Sequence, residues 1–399
     1  MNIIVLDGNQ RSALAVTRSL GKRGLTITVG AETTTSLAGC SKYCKHSFSY
    51  PSPYQNPDDF FHSIYEQIDD YHGSVVLPMT DVTISELLIK RNKFHNKVII
   101  PFVEYDQYNA ASDKVNVFKL AGELNIPAPK TLLSSECKNA EDIAVKSEKL
   151  GFPLVVKPGL SRIRTETGWR NTSVCYANNV EELTALLGTE PFKSQPFMIQ
   201  ERIEGPGIGI FLLMHEGAVL AKFAHRRTRE KPPSGGVSVL CESIIPPPDA
   251  YKSAERLLRK LNWYGVAMVE FKWDRRDNMP KLMEIYARFW GSLELAVAAG
   301  VDFPFLLYCL AMEQKVNFLP VYKIGVKSRW ELGDLDYLLI RMRKKKSDLF
   351  LPVDATSRFG VIRDFVFDFF SPSIKNEVLK LDDPRPFLFE VRKYIKDLL

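Results

Sequence analysis

The chain lacks any long uncharged apolar run, so none of its 399 residues reads as part of a membrane-spanning helix. Its opening, MNIIVLDGN, has no basic leader, apolar core or small-residue cleavage site, and no secretory signal is expected. Cysteine is sparse and scattered. Cys40, Cys44, Cys137, Cys175, Cys241 and Cys309 show no framework spacing, which argues against a disulfide scaffold and for reduced thiols in the cytoplasm. Cys40 and Cys44 beside His46 offer half of a zinc set, but no second ligand pair follows. No internal repeat or low-complexity linker is found. Charge of one sign is missing too: 53 basic against 47 acidic residues leave only +6, a weak argument for a polyanionic partner, and no nucleic acid is expected.

What is present suits a soluble globular protein: 45% hydrophobic and 25% charged residues, over a length that exceeds one usual core. Asn2 to Leu6 reads as a buried strand, Ser12 to Lys22 as a helix with Ala13, Val16 and Leu20 on one face, and Leu25 to Val29 as the next strand. Such a βαβ unit implies a parallel sheet. Its turn, DGNQRS, is not the G-x-G-x-x-G that a dinucleotide pyrophosphate requires, which disfavours a nicotinamide dehydrogenase. Helices around Asp58 to Asp69 and Ile84 to Lys93, with strands Ser74 to Pro78 and Lys97 to Pro101, complete an α/β domain placed at residues 1–110.

Residues 111–320 form the next expected unit. Helices are predicted over Asp113 to Leu124 and Ala140 to Leu150. The strand Phe152 to Pro158 carries one cation, Lys157, near its end; such a lysine either meets an anion or reaches solvent. Gly159 to Ser173, polar and without periodicity, is predicted to be a mobile loop. A strand ending at Gln200 leads into Glu201, Arg202 and Ile203, and a hairpin turns about His215, Glu216 and Gly217. His225 to Gly236 is expected to be a loop in which Arg226, Arg227 and Arg229 either recognise phosphate or carboxylate or simply face water. In residues 321–399 we expect a C-terminal helical extension, with the run Arg341 to Lys346 as a solvated helix end and a last helix over Pro386 to Leu399.

The stretch Val266 to Ser292 organises this list. Two strands, Val266 to Trp273 and Lys281 to Phe289, flank a charged turn, and alternation puts Glu270 on the face of Met268 and Lys272. Glu284, Tyr286 and Arg288 share a face of the second strand, and folding the hairpin brings Glu284 opposite Glu270. Facing carboxylates repel, so the pair calls for a cation: a divalent ion such as Mg²⁺, or the neighbouring Arg275, Arg276 or Lys281 if the hairpin is merely exposed.

Lys114, Lys157, the strand ending at Gln200 to Ile203, the arginine and glycine loop and the carboxylate hairpin, in that order, resemble the ATP-grasp superfamily, most closely its carboxylate-amine ligase-like members. The resemblance extends over nearly the whole chain. It implies an ATP-grasp fold with an N-terminal parallel-sheet α/β domain and a C-terminal helical extension, with ATP and Mg²⁺ as cofactors. It also implies small-molecule carboxylate and amine substrates, and it allows a homodimer. By this resemblance Lys114 and Lys157 contact phosphates, and Lys157 also the adenine. Gln200, Glu201, Arg202 and Ile203 form the adenine hinge, and Glu270 and Glu284 bind metal. Arg288 is an active-site arginine, and Arg226 and Arg229 hold the carboxylate or cover the phosphates.

Three departures stand out. The family pattern Glu-x-Asn-x-Arg has Tyr286 in its middle position here, the loop after Lys157 is poor in glycine, and the hinge offers only Glu204 as an acid for the ribose. A phenol is a poor Mg²⁺ ligand, so a nucleotide-binding protein with impaired or lost catalysis is the alternative to a ligase, and phosphoryl transfer to an alcohol is a third reading.

Overall fold

The structure, a computed structural model, describes residues 2–69, 74–94, 98–314, 321–351 and 354–398. The first domain is built on a parallel sheet of β1 (Asn2–Val5), β2 (Thr26–Ala31), β3 (His46–Ser49), β4 (Ser74–Leu77) and β5 (Val98–Ile99), in the order β3-β2-β1-β4-β5. Lys97, where the fifth strand was expected to begin, lies outside the described residues. Alternation covers both faces: Ile3 and Val5 pack with Ala13, Val16 and Leu20 of α1 (Arg11–Gly21), while Ile4 and Leu6 pack with Phe60 and Ile64 of α2 (Pro57–Asp69). The DGNQRS turn braces the domain. The carboxylate of Asp7 accepts from the backbone of Met79 (2.8 Å) and Thr80 (2.9 Å) and from the Thr83 hydroxyl (2.7 Å), which fixes the start of α3 (Asp81–Ile89).

The chain continues through α4 (Tyr105–Ser112) and α5 (Lys114–Glu123), the latter capped by Asp113, whose carboxylate accepts from Val115 N at 2.9 Å. A second sheet follows from β6 (Thr131–Leu133), α6 (Ala140–Leu150) and β7 (Leu154–Pro158). The expected mobile loop is instead an ordered hairpin, β8 (Arg162–Thr165) and β9 (Gly168–Asn171). One buried side chain explains the difference. Trp169 donates its backbone N–H to the carbonyl of Tyr54 and its indole N–H to Glu86 at 2.9 Å, so the hairpin docks on the first domain. With β10 (Cys175–Ala177), α7 (Val180–Leu187) and β11 (Phe197–Glu201), the second sheet has the antiparallel order β10-β7-β11-β6 and its own core around Leu154, Val156, Leu183 and Ile199.

The largest sheet has seven strands in the order β16-β15-β12-β13-β14-β17-β18. It begins with β12 (Gly207–His215), β13 (Ala218–Lys231) and β14 (Val237–Ser243), so the segment expected to be an arginine loop is, up to Lys231, the second half of a 14-residue strand. Register shifts at Arg227, Arg229 and Glu230 break the regular alternation that a strand reading would need. After α8 (Pro248–Lys260) come β15 (Gly265–Asp274) and β16 (Met279–Tyr286), then the buried α9 (Leu293–Ala299) and α10 (Phe303–Ala311). The C-terminal segment supplies the expected helices α11 (Glu331–Arg343) and α13 (Arg385–Leu398); between them lies α12 (Arg358–Phe370), and the segment also adds β17 (Lys327–Arg329) and β18 (Ile374–Asn376) to the sheet. Leu399, the expected end of the last helix, lies outside the described residues. Among the described residues no single helix is long and apolar enough to cross a membrane.

Arg18 of α1 ties the two ends of the fold together. It is 3% exposed. Its Nε donates to Asp383 at 2.9 Å, and its terminal nitrogens donate to the carbonyls of Glu377, Val378 and Asp383 at 2.9–3.0 Å. Arg18→Ala leaves Asp383 buried without its cation, and we expect a loss of roughly 3–5 kcal/mol. Urea unfolding would measure it, and a change within about 0.5 kcal/mol of wild type would refute the clamp.

Candidate active site

In β15, Ala267, Val269 and Phe271 pack on the α8 side with Leu257 and Leu258, while Val266 and Met268 face the other core. Glu270 continues that second face beyond the end of its apolar packing. On β16 the expected pairing is realised: Met268 pairs with Tyr286 and Glu270 with Glu284, and then a bulge shifts Phe271 onto Leu282. The bulge lets Leu282 rejoin the α8 core while the consecutive residues Met283 and Glu284 both line one cavity.

That cavity, about 300 Å³, collects Lys114, Lys157, Gln200, Glu201, Arg202, Ile203, Glu270 and Glu284. Each carboxylate has a cation at hand. Glu284 lies 3.3 Å from Lys114 Nζ, which also donates to Ser161 Oγ at 2.7 Å, and Glu270 pairs with Arg227. Burial raises the Glu270 carboxyl above its ordinary range against the pull of Arg227. Burial acts on Glu284 in the same sense, but Lys114, a hydrogen bond from Tyr286 and Lys157 outweigh it and bring it below. Tyr286 is pushed well above the ordinary phenol value by burial and by both glutamates, so it stays neutral and serves as a donor to Glu284.

At the hinge, Glu201 accepts from Lys130 N and from Arg276, each at 2.8 Å, and Arg202 holds Glu204 at 2.6 Å. Gly205 has φ +157°, and a Cβ there would come within 1.7 Å of the Trp273 carbonyl, so only glycine lets the hinge lie against β15. Gln200 donates to Thr131 Oγ1 at 2.8 Å and keeps its Oε1 buried without a partner.

The three arginines expected at the reacting centre are divided. Arg288 lines an adjoining cavity of about 510 Å³ shared with Lys114, Glu284, Arg162 and Arg164, and Asp81 orients it by two bonds (Nε–Oδ1 2.9 Å, Nη2–Oδ2 3.1 Å). Arg226 pairs with Glu242 and Arg229 with Asp334 and Asp368, and both line an adjoining groove rather than the cavity of the glutamates. Arg227, which the sequence reading grouped with them but did not select, is the one that reaches Glu270. The signal that was available was period two: in a strand Arg227 must face away from Arg226. Lys272, two residues beyond Glu270 on the same face, was also passed over and lines the cavity. Cys40, Cys44 and His46 do not gather as a metal set among the described residues.

A family profile described as ATP-grasp in the biosynthetic pathway with Ter operon matches residues 193–331, the span that holds the hinge, both glutamates and the arginines. Over these residues the chain is similar to an ATP-grasp family, and its fold is an ATP-grasp fold. It is 30% identical over 175 residues to the alpha-aminoadipate–LysW ligase LysX of Saccharolobus solfataricus, a match over 39% of this chain and 60% of that protein. It is 22% identical over 204 residues to the D-aspartate ligase of Enterococcus faecium, covering 48% and 47% of the two chains. Among solved structures, the biotin carboxylase domain of Hydrogenobacter thermophilus 2-oxoglutarate carboxylase, crystallised with MgADP, ADP and bicarbonate, superposes with a TM-score of 0.63. It is 12% identical and aligns over 82% of this chain and 73% of that one.

In this cavity Lys157 is the cation whose charge is least secure. Burial lowers its pKa to about 8 from 10.5, and Lys114 and Lys272 press the same way against Glu284 and Glu270. Between those two values the unfolded chain binds the proton that the folded chain has shed, so stability rises with pH there; below about 8 both states hold it and the cost is complete. Urea unfolding followed against pH should show this rise in wild type and lack it in Lys157→Met, which should be the more stable protein at pH 7. Parallel profiles for the two proteins would rule the shift out.

Proposed function

We propose that the chain is an ATP-dependent ligase that activates a small-molecule carboxylate as an acyl phosphate for attack by an amine. The observation that carries this reading is the meeting of Lys114, Lys157, the facing Glu270 and Glu284 and the hinge Gln200–Ile203 in one cavity, beside a second cavity edged by Arg162, Arg164 and Arg288. The orphan Oε1 of Gln200 suits the exocyclic amine of adenine, and the backbone of Glu201 to Ile203 supplies further contacts. Lys114 and Lys157 offset triphosphate charge. The hard oxygens of Glu270 and Glu284, at paired strand positions, suit one Mg²⁺ shared with phosphates, which would draw charge off the transferring group.

In the first step a carboxylate oxygen attacks the γ-phosphorus, the bridging P–O bond breaks and ADP leaves. In the second the amine lone pair attacks the acyl carbon, inorganic phosphate departs with the C–O electrons, and the amine loses its proton to water. Arg288, held by Asp81, orients the carboxylate in the second cavity. The two curated relatives carry amino acid names, aminoadipate and aspartate, which favours an amino acid or dicarboxylic acid as the acceptor. Residues 111–320 serve the nucleotide in this reading, 1–110 bring Asp81 to the acceptor, and 321–399 close the far side; the last boundary falls outside the described residues. A cytoplasmic site of action and a homodimer fit the same reading.

The neutral, half-buried Tyr286 supports a second reading, a nucleotide-binding protein with weak or lost catalysis, because its phenol stands where the family pattern has a metal-binding amide. Mg-ATP supplied with a panel of amino acid carboxylates and hydroxylamine should yield ADP and a hydroxamate, and Glu284→Gln should lower the rate by about 10²–10³-fold. Absence of both products across the panel would favour the second reading. Tyr286→Asn separates the two further: a sharp rise in Mg²⁺-dependent turnover marks the native site as impaired, and an unchanged or lower rate marks it as a working ligase site.

A further inference from the structure

The groove that holds Arg226 and Arg229 has a volume of about 380 Å³ and runs between β13 and the C-terminal helices. Its cations differ in one respect. Arg202 is paired with Glu204, Arg226 with Glu242, Arg227 with Glu270, Arg229 with Asp334 and Asp368, and Arg275 with Asp354. Arg341 has no carboxylate among the described residues. It is 3% exposed, its Nη2 donates to the Thr356 carbonyl, and its Nε is buried without a partner among the described residues. The sequence reading placed it in a solvated basic run; the fold buries it in the groove wall. A guanidinium taken out of water without a counter-ion is costly, and the cost is removed when an oxyanion binds in the plane of its fork. Lys272, on the wall shared with the nucleotide cavity, is likewise without an acidic partner among the described residues.

We propose that this groove is a second anion site, taking the phosphate or carboxylate group of a small molecule on Arg341 with Lys272 beside it. The site adjoins the nucleotide cavity, but neither Glu270, Glu284 nor Arg288 lines it, and it stands whether or not the chain is a ligase. Tyr337, Phe350 and Leu351 give one part of its wall an apolar or aromatic character, while the paired arginines and Glu204 and Glu230 line the rest.

The test is calorimetric titration of the full chain with inorganic pyrophosphate and, in a separate arm, succinate, each with Mg²⁺ and a non-hydrolysable ATP analogue present so that the triphosphate site is filled. Wild type should bind one of the two, and which one distinguishes phosphate from carboxylate. Arg341→Gln should weaken that binding about tenfold or more while leaving the affinity for the analogue unchanged. Ala355→Glu, which adds a carboxylate at the rim without disturbing the buried arginine, should weaken it as well and covers the case in which Arg341→Gln fails to fold. No binding of either anion by wild type at concentrations on the order of 10 mM, or equal binding by wild type and a folded variant, overturns the proposal. Loss of analogue binding in wild type would count against the nucleotide reading alone, and the anion titrations would still decide this one.

Discussion

Two glutamates facing each other across a pair of buried strands cannot be left to themselves. Glu270 and Glu284 are register partners, and the surroundings are arranged to supply positive charge: Arg227 from β13, Lys114 from the first turn of α5 and Lys157 from β7. These come from three separate stretches of chain. The carboxylate pair therefore does more than line a cavity. It holds the four-stranded sheet, α5 and the large sheet in one electrostatic relation, and the bulge at Met283 allows the strand to serve both this pair and the apolar core behind it.

How much of this was legible in the sequence follows from the range of each interaction. The facing of Glu270 and Glu284 could be read because a short turn and a period of two leave little freedom. The helix Ala140–Leu150 was legible to the residue because the Asn139 cap and the terminal Gly151 mark it. Arg227 was missed because its half of β13, His225 to Lys231, is polar, and a polar stretch has no hydrophobic alternation to mark it as strand, without which the period of two could not be applied. The β8–β9 hairpin was missed for a different reason: it is ordered by Trp169 meeting Glu86, a contact over 83 residues that no local pattern records. The groove of Arg341 was hidden in the same way, since a basic helix end looks solvated until another segment covers it.

The first domain shows how a familiar topology can be put to a different use. At the end of β1, where other parallel-sheet proteins turn a glycine-rich loop toward a pyrophosphate, this chain turns Asp7 inward to hold the start of α3. Burial lifts the Asp7 carboxyl above its ordinary range while its four hydrogen-bonding neighbours pull it back. What is secured is the position of Asp81, and Asp81 in turn fixes Arg288 at the mouth of the second cavity. Here the sheet acts as a bracket for an arginine that belongs to another domain.

The Arg18 clamp bears on how the molecule is made. The arginine emerges from the ribosome with the first helix, but the carboxylate that neutralises it, Asp383, is 365 residues further on. At about 5–20 residues per second the first domain waits roughly 20–70 s with an unmatched guanidinium at the inner face of α1. Throughout that interval the half-made domain has a reason not to settle into its final packing, and a segment synthesised long afterwards is the one that completes it.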